Sequence, residues 1–227
     1  MRYHELTQEA ETRTANSKQI SAILKKAGYR MLGLGADATV WAKDVGTVIK
    51  IIMPGNQDDR TASADIFYKF YEFVQQYQQY ENLPRFINID GKHHTTFTIG
   101  NKEYIQIAME ELYPLKEGSV EEAIVWILSD FVTKNLKWNT VYKKILSADS
   151  WKYWSEPPSV NSILDRIQSW SKMEIAKWGI FYSLMQILYQ TGKINKFNWD
   201  LHTANVMTRA DGTLVIIDPW FSSMESK

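Results

Sequence analysis

Three oxygen-bearing side chains near the end of the chain have the types and spacing to handle a phosphate. Asp200 opens the run Asp200-Leu201-His202-Thr203-Ala204-Asn205, and Asp218 closes Ile216-Ile217-Asp218 shortly afterwards. An aspartate that faces a nucleophilic hydroxyl can orient it and accept its proton. An asparagine and a second aspartate, returned by a hairpin, can hold Mg²⁺. That ion is hard and takes oxygen donors, with phosphate oxygens completing its shell, so one Asn and one Asp suffice. An Asp followed five residues later by an Asn is a common pairing, and it gains meaning from what precedes it.

Two elements precede it in the required order. Gly33-Leu34-Gly35-Ala36-Asp37-Ala38-Thr39-Val40 lies between two predicted strands. Glycines there let the backbone turn closely over phosphates and offer them amide hydrogens. An ordinary hairpin turn would use the same residues. A dinucleotide-binding turn would need a third glycine and a following helix, and this run has neither. Next comes Val48-Ile49-Lys50-Ile51. A lysine within an apolar strand either meets an anion or carries a solvated tip on an edge strand. Fifteen residues separate Lys50 from Gly35, room for one strand, a turn and half of the next. That would set the ammonium beneath the glycine loop.

With these motifs in order, the chain resembles the protein-kinase superfamily. Asp-x-His-x-x-Asn is similar to aminoglycoside phosphotransferases and other bacterial-type kinases. The nearest resemblance is to the early serine/threonine protein kinase of short-tailed coliphages. It is carried by Gly28-Tyr29-Arg30-Met31-Leu32-Gly33, Val48-Ile49-Lys50, Asp200 through Met207, and Ile217-Asp218-Pro219. It runs from about residue 28 to the C-terminus, with no matching run between roughly 113 and 180. Two departures stand out: Pro219-Trp220 follows the second Asp in place of Phe-Gly, and His202 stands where eukaryotic protein kinases carry Lys.

The resemblance implies an α+β, protein-kinase-like two-lobed fold, with an antiparallel-sheet N-lobe and a truncated helical C-lobe. It implies an ATP- and Mg²⁺-dependent viral kinase acting on serine or threonine of host proteins. Lys50 would hold the α- and β-phosphates while Gly33, Gly35, Ala38 and Val40 line their cover. Asp200 would be the base, and Asn205 and Asp218 the metal ligands. His202 would either donate to the γ-phosphate or bond within its own loop. The acid paired with Lys50 would be Glu72, with Asp65 second, although either could be a solvated surface acid. Backbone groups near Glu110 and Leu112 would bind adenine. Lysine and oxygen ligands would then converge on one nucleotide–magnesium site between the lobes.

The elements that must position these residues follow from local pattern. A helix is expected over 5–27, from Leu6, Ile20, Ile23 and Leu24, with Gly28 just past its end. Tyr29 to Met53 reads as three antiparallel strands broken at the glycines and at Asp44-Val45-Gly46. A loop over 54–60 leads to a helix over 61–80. Two or three strands follow in 85–110, with turns at Asp90-Gly91 and Gly100-Asn101. Helices are expected over 120–135, 139–148, 159–170 and 172–191, the first opened by a capping box at Ser119-Val120-Glu121-Glu122. Pro157-Pro158 separates the middle pair, and Gly192 is expected to stop the last. Short strands around loops fill 194–221, with a hairpin at Asp211-Gly212.

These elements suggest an N-terminal helical extension (1–27), an N-lobe (28–112) and a minimal C-lobe (113–227). The 227 residues, 44% hydrophobic and 13% aromatic, can build a packed core. Twenty-six basic residues balance 26 acidic ones, so no net field favours nucleic acid or an anionic membrane. The absence of Cys excludes disulfides, zinc ribbons and thiol catalysis. Met1-Arg2-Tyr3-His4-Glu5 opens no apolar signal core and no long apolar run appears, so a cytoplasmic protein is expected. Few residues follow Asp218, so no activation loop of the usual kind is expected. Substrate docking would fall to helices 120–170 and the N-terminal helix. Two alternatives remain: a small-molecule phosphotransferase of the aminoglycoside type, and a catalytically silent kinase-shaped binding protein.

Overall fold

A five-stranded antiparallel sheet organises the first half of the chain, in the order β1-β2-β3-β5-β4. The strands are β1 (Arg30–Leu34), β2 (Ala38–Ala42), β3 (Thr47–Ile52), β4 (His94–Ile99) and β5 (Lys102–Glu110). The computed structural model describes residues 18–34, 38–52, 60–88, 94–99, 102–151 and 160–222. The chain divides into two units, Met1–Tyr71 with Pro84–Glu111, and Glu72–Leu83 with Leu112–Lys227.

In the first unit both sheet faces are covered, which is why β3 reads Thr-Val-Ile-Lys-Ile-Ile without clean alternation. One face carries Trp41, Ile49, Ile51, Ile99 and Tyr104, and Ile20 of helix α1 (residues 18–26) seals it. Leu24 and Tyr29 pack at the margin of this cluster. Helix α1 ends as its sequence suggests. The Tyr29 N–H reaches the Leu24 carbonyl, the Gly28 N–H reaches Lys25, and Gly28 takes a left-handed φ of 88°, the Schellman arrangement that favours glycine. The opposite face joins Ile52, Ile105 and Ile107 to Phe67 of helix α2 (Arg60–Gln76), with Tyr68 and Tyr71 beside it. The helix expected over 61–80 ends at Gln76 and continues as a turn. Among the described residues of 85–110 there are two strands plus one bridge, Phe86 to Met109. Residues 5–17 and the turns at 90–91 and 100–101 lie outside the described residues.

The second unit is mainly helical. It contains α3 (Val120–Thr133), α4 (Trp138–Ile145), α5 (Val160–Gln168) and α6 (Lys172–Ile194). Five short strands complete it: β6 (Tyr113–Pro114), β7 (Phe197–Trp199), β8 (Val206–Thr208), β9 (Leu214–Ile216) and β10 (Trp220–Ser222). They form a three-stranded sheet β6-β8-β9 and a pair β10-β7. A helix inserted between the third and fourth strands of an antiparallel sheet, then a helical unit ending in short strands, is the element order of an α+β kinase-like fold.

Two local expectations are corrected. Ser119 accepts from the Glu122 N–H at 3.1 Å, but the Glu122 carboxylate accepts from Gly118, so only half of the expected box forms there. The reciprocal box sits at Ser171 and Glu174 instead, and the bonds from Ser171 hold the Glu174 carboxyl below its ordinary pKa. Gly192 does not stop α6, which runs on to Ile194. Its role is close packing: a Cβ at Gly192 would lie 2.7 Å from Nε1 of Trp220. Among the described residues no helix is long and apolar enough to cross a membrane.

Candidate active site

The end of α6 launches the loop that carries Asp200. Asn195 caps the helix by bonding the Thr191 carbonyl, and Lys196 adopts φ 60° to turn the chain into β7. β7 pairs with β10, placing Trp199 opposite Trp220. Trp220 is buried, packs edge-on to Phe73, and donates its indole N–H to the Leu188 carbonyl at 3.0 Å. The glycine at 192 leaves room for that indole.

Backbone bonds tie the two motif segments together. The Asp200 N–H donates to the Pro219 carbonyl at 2.9 Å, and the Ile217 N–H donates to the Asn205 carbonyl at 3.0 Å. The β8–β9 hairpin makes the return path. Its turn has Gly212 at φ 83°, and the Asp211 carboxylate accepts from the Thr213 N–H at 2.9 Å. Bonds from Thr213 lower the Asp211 pKa. Asn82, buried before the hairpin in space, donates to the Leu214 carbonyl at 2.8 Å and accepts from the Ile216 N–H at 2.9 Å. Arg209 adds bonds to the carbonyls of Glu81 and Leu83. Asp218 lies two residues beyond β9, not at its end.

Within the loop the two ends of the Asn205 amide have different surroundings. Its Nδ2 donates to the Asp200 carbonyl at 2.7 Å and lies 3.4 Å from Asp200 Oδ2. The amide oxygen is thereby turned away from the Asp200 backbone, the orientation a metal ligand needs. His202 caps the single 3₁₀ turn over Thr203–Asn205, its Nδ1 accepting from the Ala204 N–H at 3.3 Å. An accepting Nδ1 puts the proton of a neutral ring on Nε2. That atom stands 3.9 Å from Asp200 Oδ1 and 3.2 Å from Asn205 Nδ2. The first is too long for a hydrogen bond, and the second sets two donors face to face. His202 therefore bonds its own loop through one nitrogen and presents an N–H beside Asp200 with the other.

Asn205 and Asp218 together suit Mg²⁺ as a two-oxygen protein contribution. Among the described residues no group of three or more His, Asp and Glu gathers, so phosphate and water would supply the remaining ligands.

The residues expected to hold nucleotide from the first unit sit on its sheet. Gly33 lies at an irregularity in the β1–β2 register, between the Met31–Trp41 and Gly33–Val40 pairs. Gly35 lies outside the described residues. Val40 pairs with Lys50, and Lys50 with Ile107, making one row across three strands. That row shares its face with Ala38 and Ile52, the face on which α2 packs. Glu110 ends β5 opposite Thr47; its N–H turns away from β3 to the Arg85 carbonyl at 3.0 Å, and its carboxylate accepts from the Arg85 N–H. Leu112 is buried at the start of the second unit's main segment. Glu72 is exposed on α2, just past the point where the unit boundary crosses that helix. Asp65 is helical, with its side chain outside the description.

The structure thus brings together Asp200, His202, Asn205 and Asp218 in one unit, and Ala38, Val40 and Lys50 in the other. It also brings in residues that the motifs did not signal. Ser129 reaches from α3 and donates to the Leu201 carbonyl at 2.5 Å, while accepting from the Trp199 indole at 3.2 Å. The available signal was a lone hydroxyl in the apolar run Ile124-Val125-Trp126-Ile127-Leu128-Ser129, since a polar group in a buried helix needs a partner.

No protein-family model matches the chain, and no curated protein matches it. Similar solved structures include an aminoglycoside phosphotransferase from Alicyclobacillus acidocaldarius, 12% identical, with a TM-score of 0.35 over 84% of this chain and 62% of that one. Another is a microcompartment-associated aminopropanol kinase, 12% identical, with a TM-score of 0.38 over 84% and 63%. A spectinomycin phosphotransferase in complex with ADP and spectinomycin is 14% identical, with a TM-score of 0.36 over 90% and 70%. The chain therefore spans between 62% and 70% of the lengths of these three structures.

Proposed function

We propose that this protein is a phosphotransferase that moves the γ-phosphoryl group of ATP to a hydroxyl acceptor. The observation that supports the reading is the pair of backbone bonds, Asp200 N–H to the Pro219 carbonyl and Ile217 N–H to the Asn205 carbonyl, that ties the segment bearing Asp200 and Asn205 to the segment bearing Asp218. Mg²⁺, when bound, neutralises charge on the phosphate oxygens. Asn205 and Asp218 would hold it through oxygen. Asp200 orients the acceptor hydroxyl and takes its proton at the carboxylate. His202 directs its Nε2 proton toward the transferring phosphoryl oxygens. Lys50, Gly33, Gly35, Ala38 and Val40 contact the phosphates and their cover, and Glu110 and Leu112 receive adenine through their backbones.

For the acceptor, the resemblance to the coliphage early kinase supports serine or threonine on host proteins, in the host cytoplasm. The Asp-x-His-x-x-Asn run favours a second reading, a small-molecule hydroxyl of the aminoglycoside or amino-alcohol type. Radiolabelled ATP offered to bacterial lysate and to a panel of aminoglycosides and amino alcohols separates them. Label on protein bands that vanishes with Asp200→Ala supports the first reading. Label confined to the small molecules replaces it with the second. If neither is labelled and ATP with Mg²⁺ leaves the melting temperature unchanged, the protein is a silent binding module.

A further inference from the structure

We propose that Ser129 is a positioning residue for Asp200, acting through a hydrogen-bonded relay that grips the chain on both sides of the carboxylate. This inference rests on the assignment of Asp200 as the base. The relay has three members: the indole N–H of Trp199, the Ser129 hydroxyl, and the carbonyl of Leu201. Trp199 immediately precedes Asp200 and Leu201 immediately follows it. One hydroxyl therefore fixes both neighbours of the same carboxylate.

The chemistry of the hydroxyl suits this use. It has one proton to give and lone pairs to receive. The proton goes to Leu201 at 2.5 Å, and a lone pair takes the indole at 3.2 Å. A helical serine ordinarily bonds back to its own helix; this one spends its proton outward. Its platform is rigid, since Ile124, Val125, Ile127, Leu128, Phe131 and Val132 of α3 are all buried. Leu201 is itself buried, and the indole of Trp199 meets Tyr189 edge-on.

Asp200 needs such help. Its side chain is 41% exposed, so packing restrains it little, and its direction depends on how the backbone is held. Pro219 fixes its amide, and the relay holds the Trp199 side chain before it and the Leu201 carbonyl after it. Small displacements of a reacting group can cost on the order of 100-fold in rate, whereas neither Trp199 nor Leu201 is among the residues proposed to hold ATP.

The test is steady-state turnover of Mg·ATP, read as ADP release with water as acceptor, for wild type, Asp200→Ala, Ser129→Ala, Ser129→Thr, Trp199→Phe and the Ser129→Ala/Trp199→Phe double variant. Ser129→Ala is expected to lower kcat by about 10- to 100-fold, with the KM for ATP and the melting temperature nearly unchanged. Ser129→Thr restores most of the loss. Trp199→Phe lowers kcat as well, and the double variant falls no further than the worse single one, the non-additivity of a shared relay. A kcat for Ser129→Ala within twofold of wild type, while Asp200→Ala is inactive, overturns the relay and leaves the base assignment standing. A parallel loss of kcat, ATP affinity and melting temperature that Thr does not rescue also overturns it, because that is a folding defect. Wild-type turnover in Asp200→Ala overturns the base assignment and the relay with it.

Discussion

In its proposed role Asn205 would serve two purposes, bonding the Asp200 backbone through nitrogen and Mg²⁺ through oxygen, and it can do both only in one orientation. Its nitrogen is committed to the Asp200 carbonyl, which aims the oxygen elsewhere. Asn205→Ala removes both functions, and its apparent Mg²⁺ affinity should fall by about 10- to 100-fold; a Mg²⁺ titration of turnover checks this. That the segments of Asp200 and Asn205 and of Asp218 belong together was legible in the sequence, because phosphate chemistry restricts residue type and spacing. The partners of Ser129, 72 positions before Leu201, were not, because a lone hydroxyl in an apolar run shows that it needs a partner but not which segment supplies it. Tyr182 was equally hidden. Its hydroxyl donates to the carbonyls of Phe131 at 3.1 Å and Leu136 at 3.0 Å, and burial pushes its pKa up to about 12. The folded state thus favours the neutral phenol. That contribution is complete below the unfolded pKa near 10 and is lost as pH rises towards 12. Urea midpoints measured at pH 9 and pH 11 should show the loss in wild type and a smaller one in Tyr182→Phe.

At the scale of elements, periodicity and turn chemistry located the described strands of the first unit and the helices α3, α4, α5 and α6 of the second. The errors share a physical cause. A capping box is a pattern of types, and Ser119 and Ser171 both present it; which Glu folds back depends on the chain's entry angle, visible only in three dimensions. Glycine within a helical pattern reads as a stop, but at Gly192 tertiary contact decided the outcome. The Trp220 indole occupies the space a methyl would need and is held by Leu188, so it cannot simply swing aside. Gly192→Ala should therefore destabilise the protein by about 1–3 kcal/mol despite alanine's better helix propensity. Chemical denaturation checks the sign: a stabilised variant would mean the indole is not seated there. Because Trp220 pairs with Trp199, the same substitution should also lower turnover.

For the molecule as a whole, composition bounded the answer and topology filled it in. Balanced charge and the lack of Cys narrowed the chemistry, and the order of strands, helix and helical unit followed from pattern. That the N-terminal helix packs on the sheet could be anticipated, but which residues it meets could not, since α1 joins Trp41, Ile49 and Ile51 to Ile99 and Tyr104, distant in sequence. Ile20 is 3% exposed beneath α1, so Ile20→Ala should cost about 2–4 kcal/mol, measured by urea unfolding; an unchanged midpoint would detach α1 from that core. The account as a whole turns on whether Asp200 is the group that faces the acceptor hydroxyl. The direct measurement compares wild type and Asp200→Ala for phosphate transfer from radiolabelled ATP, and for the rise in melting temperature on adding Mg·ATP. The account predicts that transfer disappears in the variant while the thermal shift survives. Transfer at the wild-type rate from Asp200→Ala would contradict it.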